Sequence, residues 1–600
     1  MSTTTSNQYD VVIVGAGVAG SLLAKQLTQA DLKVLLLEAG PASAQSLEGY
    51  YQHLQAFYQA SNKGPESAWP PHLLAPQPDT ADLRLNNGYF VQNGPNLYGS
   101  SYTRLQGGST LHWLGVSLRM LPEDFNIHSR YGVGLDWPIA YQDLEPYYRQ
   151  AEFELGVAAA VADQQFHGVT FAAGYEYPME AIPQSYADKQ LAAAIDGLPV
   201  ELGADRIKLK VRAYPAARNS NPRGAYAPVG AVDRKANGMY AQQTLGQRCQ
   251  GNTSCTPICP VQAKYNAGKT LAQAKQANLT LQPQSVAAKI NIDNATGKVT
   301  GITYQRYADN GHAEQEATGK LYILASHAVE NAKILLASNL TGTSHLVGKH
   351  LMDHPTLYAY GLAKTPIGAY RGPQSSSGIE DTRGGGFRAK HAAFRFDVGN
   401  DGWRAATGAP DTLVLDAVQQ QRLLGKSLRE SLAAQLTRQV RLSLAVEQLP
   451  DPGNAVTLDY RFLDPLGNPR PVINYRIGDY TLEGMLQARL VAKAIFSQAG
   501  VEDYSDSKYT AWFPTVNYQR QDQAYEFHYH GMGHFAGTHL MGADAENSVV
   551  NSYQQSWDYP NLFLVGSGSF PTMGTSNPTL TLSALALRTA EYIIDNFKTF

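Results

Sequence analysis

Asp10 to Gly40, DVVIVGAGVAGSLLAKQLTQADLKVLLLEAG, constrains this chain more than any other stretch. An apolar run of strand character, Val11 to Val14, enters three glycines, Gly15, Gly17 and Gly20. These open a segment with Leu22, Leu23 and Leu27 at helical spacing, and a second apolar run, Val34 to Leu37, ends at Glu38. The pattern is a βαβ unit closed by an acid. In such a unit the first glycine permits the tight strand-to-helix turn, the second lets backbone approach a pyrophosphate, and the third lets helix pack closely on strand. The helix N-terminus offers unpaired N–H groups and a positive dipole end to phosphates. An acid at the position of Glu38 is placed to accept the ribose hydroxyls of an adenosine. Gly15, Gly17, Gly20 and Glu38 are therefore candidate dinucleotide-binding residues. Their spacing does not choose between FAD and a nicotinamide cofactor.

At 600 residues the chain is too long for one ordinary domain, so two or more interleaved units are expected. Its 48 basic and 51 acidic residues nearly cancel, which argues against a nucleic-acid surface or a polybasic membrane patch. The polar start, MSTTTSNQYD, runs directly into the first strand without a secretory h-region or a twin-arginine signal. No run reaches the ~20 apolar residues needed to span a bilayer. The chain taken alone reads as soluble and cytoplasmically made, with export open only by riding on a partner.

Past the βαβ unit, 41–96 is rich in Pro, Gln, Tyr and Asn and reads as surface loops and short helices. WPIAYQDLEPYYRQAEFELGV predicts a helix from about Ala140. Residues 279–306 and then GKLYILASHAVENAKILLAS predict a small antiparallel sheet that returns to a parallel strand, Leu321 to Leu324, and its helix. GKHLMDHP marks the crossing into a second unit, in which NAVTLDY and RPVINYRI read as strands and QRLLGKSLRESLAAQLTRQV as the clearest helix. LEGMLQARLVAKAIFSQAG is another helix candidate. From His528 the chain returns to nucleotide-domain character, with strand NLFLVGS and closing helix LSALALRTAEYIIDNF. The expected architecture is α/β: a discontinuous Rossmann-type domain from 8–45, 98–165, 205–347 and 528–600, with a second α+β domain on an antiparallel sheet from 46–97, 166–204 and 348–527.

All three cysteines, Cys249, Cys255 and Cys259, fall within RCQGNTSCTPICPVQ. Chance would place three so close on the order of once in a thousand chains of this length, and an odd number cannot all pair within the chain. The short spacings and the closing Cys–Pro resemble those of ferredoxin-type iron–sulfur loops, one thiolate short of a four-iron set. Zinc with a fourth ligand, or a structural or redox thiol group, are the alternatives the spacing leaves.

His528, His530, His534 and His539 cluster in FHYHGMGHFAGTHLMG. Metal ligation is one reading, weakened by the glycines that interrupt any helix able to align the rings. The other is a general base: oxidising an alcohol by hydride loss requires an acceptor for the hydroxyl proton, and neutral imidazole suits that task. Asn577, in GTSNPTLT, is a candidate to fix the alcohol oxygen, and equally an N-cap ahead of Pro578. In GGSTLHW, Gly107, Gly108, Ser109 and Thr110 let backbone lie flat against a ring system, with His112 and Trp113 beside it.

GAGVAG with Glu38, GGSTLHW, VGKHLMDHP, HFAGTHLMGADAENSVV and NLFLVGSGSFPTMGTSNPTLT together resemble the glucose–methanol–choline (GMC) oxidoreductases, in order from end to end. The cysteine segment resembles that of the bacterial FAD-dependent glucose, sorbitol and glucoside 3-dehydrogenases, whose catalytic subunits hold a 3Fe-4S cluster on three thiolates. The resemblance implies FAD as cofactor, His534 as catalytic base with His539 the alternative if the frame shifts, and Asn577 as its partner. It adds Gly566 and Thr579 to the cofactor-binding residues, and matches His112 to a position that carries covalent flavin in some relatives. It implies oxidation of a hydroxyl on a sugar, polyol or glycoside, with electrons passing through a cluster on Cys249, Cys255 and Cys259 to an acceptor such as a cytochrome c. A small subunit carrying the export signal, and a periplasmic location, are implied with it. An oxygen-using alcohol oxidase and a non-catalytic flavin electron-transfer subunit are the rival readings. Extra residues around 50–96 and 368–425 border the cleft in relatives, so the particular sugar does not carry over.

Overall fold

The structure, a computed structural model, describes residues 9–43, 47–59, 89–227, 246–249, 251, 255, 258–308, 313–403, 411–506 and 513–600. The stretch around WPPHLLAPQPD, part of the segment read as surface loops, lies outside them. The part of that segment that is described contains a helix, Leu47–Gln59.

Val11–Val14 forms the middle strand of a five-stranded parallel sheet, ordered Leu562–Leu564, Leu321–Leu324, Val11–Val14, Val34–Leu37, Leu279–Gln282. Val11 sits between Leu321 and Val34 in register. All residues of Val11–Val14, Val34–Leu37 and Leu321–Leu324 are buried, as a parallel strand covered on both faces demands. Helix Val18–Gln29 lays Leu22, Leu23 and Leu27 into this core and packs against the closing helix Pro578–Asn596, which in turn meets Tyr141–Leu155. The first and last segments of the chain thus build one sheet and one core.

The second core surrounds a larger sheet with antiparallel pairings, ordered Glu502–Asp503, Pro355–Leu362, Gln439–Val446, Phe394–Gly399, Ser375–Ile379, Val211–Ala213, with His530–Gly531 paired to Pro355–Leu362. Val211–Ala213 was expected in the nucleotide-binding unit; its pairing with Ser377 to Ile379 makes it an edge strand here instead. Helix Asp479–Ala499 covers one face and ends in a left-handed Gly500 at φ 61°. The helix expected over 421–440 spans only Gly425–Leu436, and Gln439–Val446 is a wholly buried strand. Two flanking strands supply more to those residues than their helical propensity does.

One strand decides what the other sheet face carries. Side chains alternate along Phe394–Gly399, so Phe394, Phe396 and Val398 enter the apolar core while Arg395 and Asp397 point to the opposite face. That face holds the polar groups described next. No helix among the described residues is long and apolar enough to cross a membrane.

Candidate active site

The glycines of the first turn divide by what surrounds them. A Cβ on Gly15 would stand 2.6 Å from the Ala325 carbonyl oxygen, and one on Gly20 would stand 1.9 Å from that of Gly15. Both keep strand, turn and helix in contact. A Cβ on Gly17 would meet no heavy atom within 4 Å, so the N-terminus of Val18–Gln29 opens onto free space. The second glycine segment closes over it: the Gly107 N–H donates to the Ala16 carbonyl at 3.0 Å, and a Cβ on Gly108 would approach Gly17 Cα at 3.3 Å. Gly566, at φ 120°, also faces open space. Thr579 lies half-buried in the first turn of the closing helix.

Glu38 is buried, and its two oxygens accept the N–H groups of Ala16 at 2.8 Å and Gly40 at 2.7 Å. Burial raises its pKa, with those bonds and Arg104 opposing. The carboxylate therefore braces the turn, and each oxygen retains a lone pair for a further donor. Ser109 lies in the turn Gly108–Leu111, and its carbonyl receives the His112 and Trp113 N–H groups. Thr110 accepts the Ala267 N–H at 2.9 Å, and Trp113 Nε1 donates to the Tyr265 carbonyl at 2.8 Å. His112 Nε2 is buried without a partner, and burial, then the Lys264 charge, hold its pKa down to about 4.

The second group lies between the two cores. Asn577 occupies the N-cap position of Pro578–Asn596 but its side chain makes no capping bond. Its Nδ2 faces His534 Nε2 at 3.3 Å, and its Oδ1 accepts Arg395 Nη2 at 2.9 Å. His534 Nδ1 faces His354 Nδ1 at 2.8 Å, and His354 Nε2 lies 2.8 Å from the Gly574 carbonyl. The two ends fix every proton between them. A carbonyl only accepts, so His354 carries its proton on Nε2 and accepts at Nδ1; His534 then donates from Nδ1 and presents a bare Nε2. At the other end guanidinium only donates, so Asn577 turns its oxygen to Arg395 and its amide nitrogen to His534. Burial, the neighbouring His354 and the Arg395 charge hold the His534 pKa well below the ordinary imidazole value. The result is a neutral base with its lone pair beside an amide donor.

Asp353 secures this arrangement from behind. Its Oδ1 accepts the backbone N–H groups of His354 at 2.7 Å and His534 at 3.0 Å, while its Oδ2 accepts the Ser100 hydroxyl. The other candidate histidines stand apart. His539 is buried against Asn331, its Nε2 lying 3.2 Å from that amide. His530 turns its Nδ1 to the Gly531 carbonyl, and His528 lies 3.8 Å from Glu526.

Cys249, Cys255 and Cys259 are free thiols, the last two buried. They lie near enough to interact electrostatically, and burial raises the Cys249 pKa against the opposing Arg218. Among the described residues no three His, Cys, Asp or Glu side chains are gathered as metal ligands. Residues 252–254 and 256–257, between the thiols, lie outside the described set. The surroundings are nonetheless cationic. Lys264 donates to the carbonyls of Cys255 at 2.6 Å and Trp113, Lys269 to those of Gln262 at 2.9 Å and Lys264 at 3.1 Å, and Arg218 to those of Leu114 and Ser375 at 2.8 Å. None of the three forms an ion pair with a carboxylate among the described residues, and the Arg218 Nη2 is buried without a partner. Buried cations without carboxylates suit an anionic occupant held on thiolates.

The family model described as GMC oxidoreductase matches residues 9–356 in its N-terminal part and 450–586 in its C-terminal part. The chain belongs to the GMC oxidoreductase family. It is 30% identical to the fructose dehydrogenase large subunit of Gluconobacter japonicus over 98% of both chains. It is 24% identical to 2-methyl-1,2-propanediol dehydrogenase of Mycolicibacterium austroafricanum, over 99% of this chain and 97% of that one. It is 23% identical to the gluconate 2-dehydrogenase flavoprotein of Pantoea cypripedii, over 98% and 94%. Among solved structures it shares its fold with pyridoxine 4-oxidase from Mesorbium loti, at TM-score 0.60, 16% identity and coverage of 98% and 99%. Formate oxidase from Aspergillus oryzae RIB40 matches at TM-score 0.60 and 15% identity over the whole of both chains.

This GMC oxidoreductase is thus an FAD-dependent enzyme acting on CH–OH donors. The open ground at Gly17 and Gly566, with the partnerless His112 nitrogen, fits the cofactor. Three residues of the site escaped the motif reading. His354 was legible only as part of GKHLMDHP, and Asp353 likewise. Arg395 carried a signal: in FRFDVG two charges alternate with apolar residues, which on a strand gathers them on one face.

Proposed function

We propose that this GMC oxidoreductase is a dehydrogenase that oxidises a hydroxyl of a sugar, polyol or glycoside. The observation that carries the reading is the directed hydrogen-bond chain that leaves His534 Nε2 unprotonated beside the Asn577 amide. A substrate hydroxyl placed between them donates its proton to His534 Nε2 and accepts from Asn577 Nδ2. FAD, when bound, supplies the acceptor for the hydride that leaves the carbinol carbon. His534 keeps the proton on Nε2 while the carbonyl forms, and Asn577 holds the oxygen as its charge rises and falls. The depressed His534 pKa keeps the ring neutral and competent across the neutral range. Gly15, Gly17, Gly20, Glu38, Gly107 to Trp113, Gly566 and Thr579 are the residues that would hold FAD.

The names of the fructose and gluconate relatives support a sugar-like substrate. Cys249, Cys255 and Cys259 would hold a 3Fe-4S cluster, whose chemistry is one-electron transfer toward an external acceptor such as a cytochrome c. The buried cations Arg218, Lys264 and Lys269 support that assignment. The same reading includes a small partner subunit that carries the export signal, and with it a periplasmic location.

The test is anaerobic mixing with a panel of ketoses, aldoses, polyols and glycosides while flavin absorbance is followed. At least one member should bleach the wild type and fail to bleach FAD-loaded His534→Ala. A wild type that no member bleaches overturns the reading. For the cluster, anaerobically prepared protein should contain iron and show the corresponding electron paramagnetic resonance. Cys255→Ser should keep substrate bleaching yet lose fast reduction of cytochrome c; protein without iron ends that part of the proposal.

A further inference from the structure

Arg395 lies on the central strand Phe394–Gly399 of the second sheet and is fully buried. Its guanidinium spans four acceptors: Nε donates to the Thr575 carbonyl at 2.8 Å, Nη1 to Asp397 at 2.6 Å and the Tyr214 hydroxyl at 2.8 Å, and Nη2 to Asn577 Oδ1 at 2.9 Å. Thr575 and Asn577 belong to the loop that enters the closing helix, so one side chain of the second unit grips the first unit's site loop at two points. Arg383 secures the same loop through the hydroxyls of Thr575 at 3.1 Å and Ser576 at 2.5 Å.

An amide has two faces of opposite hydrogen-bonding sense, and a half-turn exchanges them. If Asn577 turned its oxygen toward His534, two lone pairs would oppose each other across the position of the substrate oxygen. That oxygen would then lose its donor at the moment it gains charge. Nothing in the asparagine itself prevents the turn. The donor at its oxygen does.

We infer that Arg395 is a positioning residue for the oxidation: it fixes which way round the Asn577 amide lies and thereby keeps a donor on the reacting oxygen. The inference rests on the proposed pairing of His534 with Asn577. Lysine cannot replace it, because its three donors radiate from one nitrogen whereas the Thr575 carbonyl, Asp397 and Asn577 are each met by a different nitrogen of the guanidinium, although it retains the charge. Charge and geometry are therefore separable. Facing Arg395 are Asp397, Tyr214, Glu380, Arg383, His354 and His534; the charged or titratable groups facing His534 are His354 and Arg395 itself.

The experiment compares anaerobic flavin reduction by saturating substrate in wild type, Arg395→Lys, Asn577→Ala and the double variant, each matched for FAD content. Arg395→Lys should slow reduction about 100-fold, the scale expected when a reacting group is misplaced by an ångström. In the Asn577→Ala background the same change should cost less than about threefold, because there is no amide left to orient. The acid limb of the rate–pH profile should stay in place in Arg395→Lys and move to higher pH in Arg395→Met, which removes the charge that adds to burial and His354 in depressing His534. Equal slowing in both backgrounds overturns the inference and leaves the proposed function intact; wild-type rates in Asn577→Ala overturn both. Asp397→Asn weakens the anchor while leaving the guanidinium in place, and its smaller slowing should likewise vanish without Asn577. If Arg395→Lys does not fold, that pair decides the question on its own.

Discussion

His354 and His534 meet Nδ1 to Nδ1 at 2.8 Å, a gap that one proton can bridge and two cannot. Because the Gly574 carbonyl claims the proton on His354 Nε2, the bridging proton belongs to His534. His354 is therefore what makes the bare nitrogen of His534 the one nearest Asn577. Without it either tautomer is available and the ring is free to swing. His354→Ala should hold FAD as the wild type does and reduce it about 100-fold more slowly. Stopped-flow bleaching checks this, and a rate within threefold of wild type would remove His354 from the account.

Asp353 gives a pH-dependence of known sign. Burial pushes its pKa up to about 6, against bonds from Ser100, His354, His534 and Met532. The folded protein therefore binds a proton that the unfolded chain has already released between pH ~4 and ~6, and this group's contribution to stability falls as pH rises through that window. Two pKa units correspond to about 3 kcal/mol. Asp353→Asn cannot titrate, so the stability of wild type relative to the variant should decline by about that amount from pH 4 to pH 7. Denaturant unfolding of both proteins at each pH reads the difference, and a flat difference would contradict the assignment.

The first turn predicts two different failures from one kind of substitution. Gly20→Ala would drive a methyl into the Gly15 carbonyl, so folding should suffer by several kcal/mol and soluble yield should collapse. The Cβ of Gly17→Val meets no heavy atom within 4 Å. That protein should fold with an unfolding midpoint near the wild-type apoprotein and lose most of its bound FAD, measured as the 450 nm absorbance per protein. Equal FAD content in Gly17→Val and wild type would place the pyrophosphate elsewhere.

What the chain discloses on its own follows the range of the forces involved. The parallel strands and the glycine turn are local: burial on both faces writes continuous apolar runs, and a turn that tight admits only glycine. Asn577 shows where locality ends. As a residue before proline at a helix start it reads equally as a cap, and only Arg395, 182 positions away in sequence, turns its side chain to His534. The overextended helix at 421–440 failed for the same reason, since Gln439–Val446 is held as strand by partners that its own residues do not announce. His354 is beyond any periodic pattern. Its role comes from one carbonyl of the distant GTSNP loop.

Lys264 offers the sharpest test of what the cysteines hold. Its ammonium is buried, pushed down to about 8 by desolvation, with the thiols of Cys259 and Cys255 the acidic groups that oppose the shift. It also ties the carbonyl of Trp113, beside His112, to that of Cys255, so one cation joins the flavin segment to the cysteine loop. The cluster proposed on the three thiolates would be more negative when reduced, and a fixed cation close by would favour that state. If the cysteines hold the proposed cluster, Lys264→Met should therefore move its reduction potential to more negative values. Removing one fixed, partly screened unit charge beside such a group is worth on the order of 50 mV for one electron. Redox titration followed by electron paramagnetic resonance reads the shift directly. Anaerobic bleaching of the flavin by substrate reports separately on the flavin segment, which Lys264 also holds through the Trp113 carbonyl. A potential that stays put or turns more positive would mean that Lys264 serves the fold of the loop and not the electron it carries.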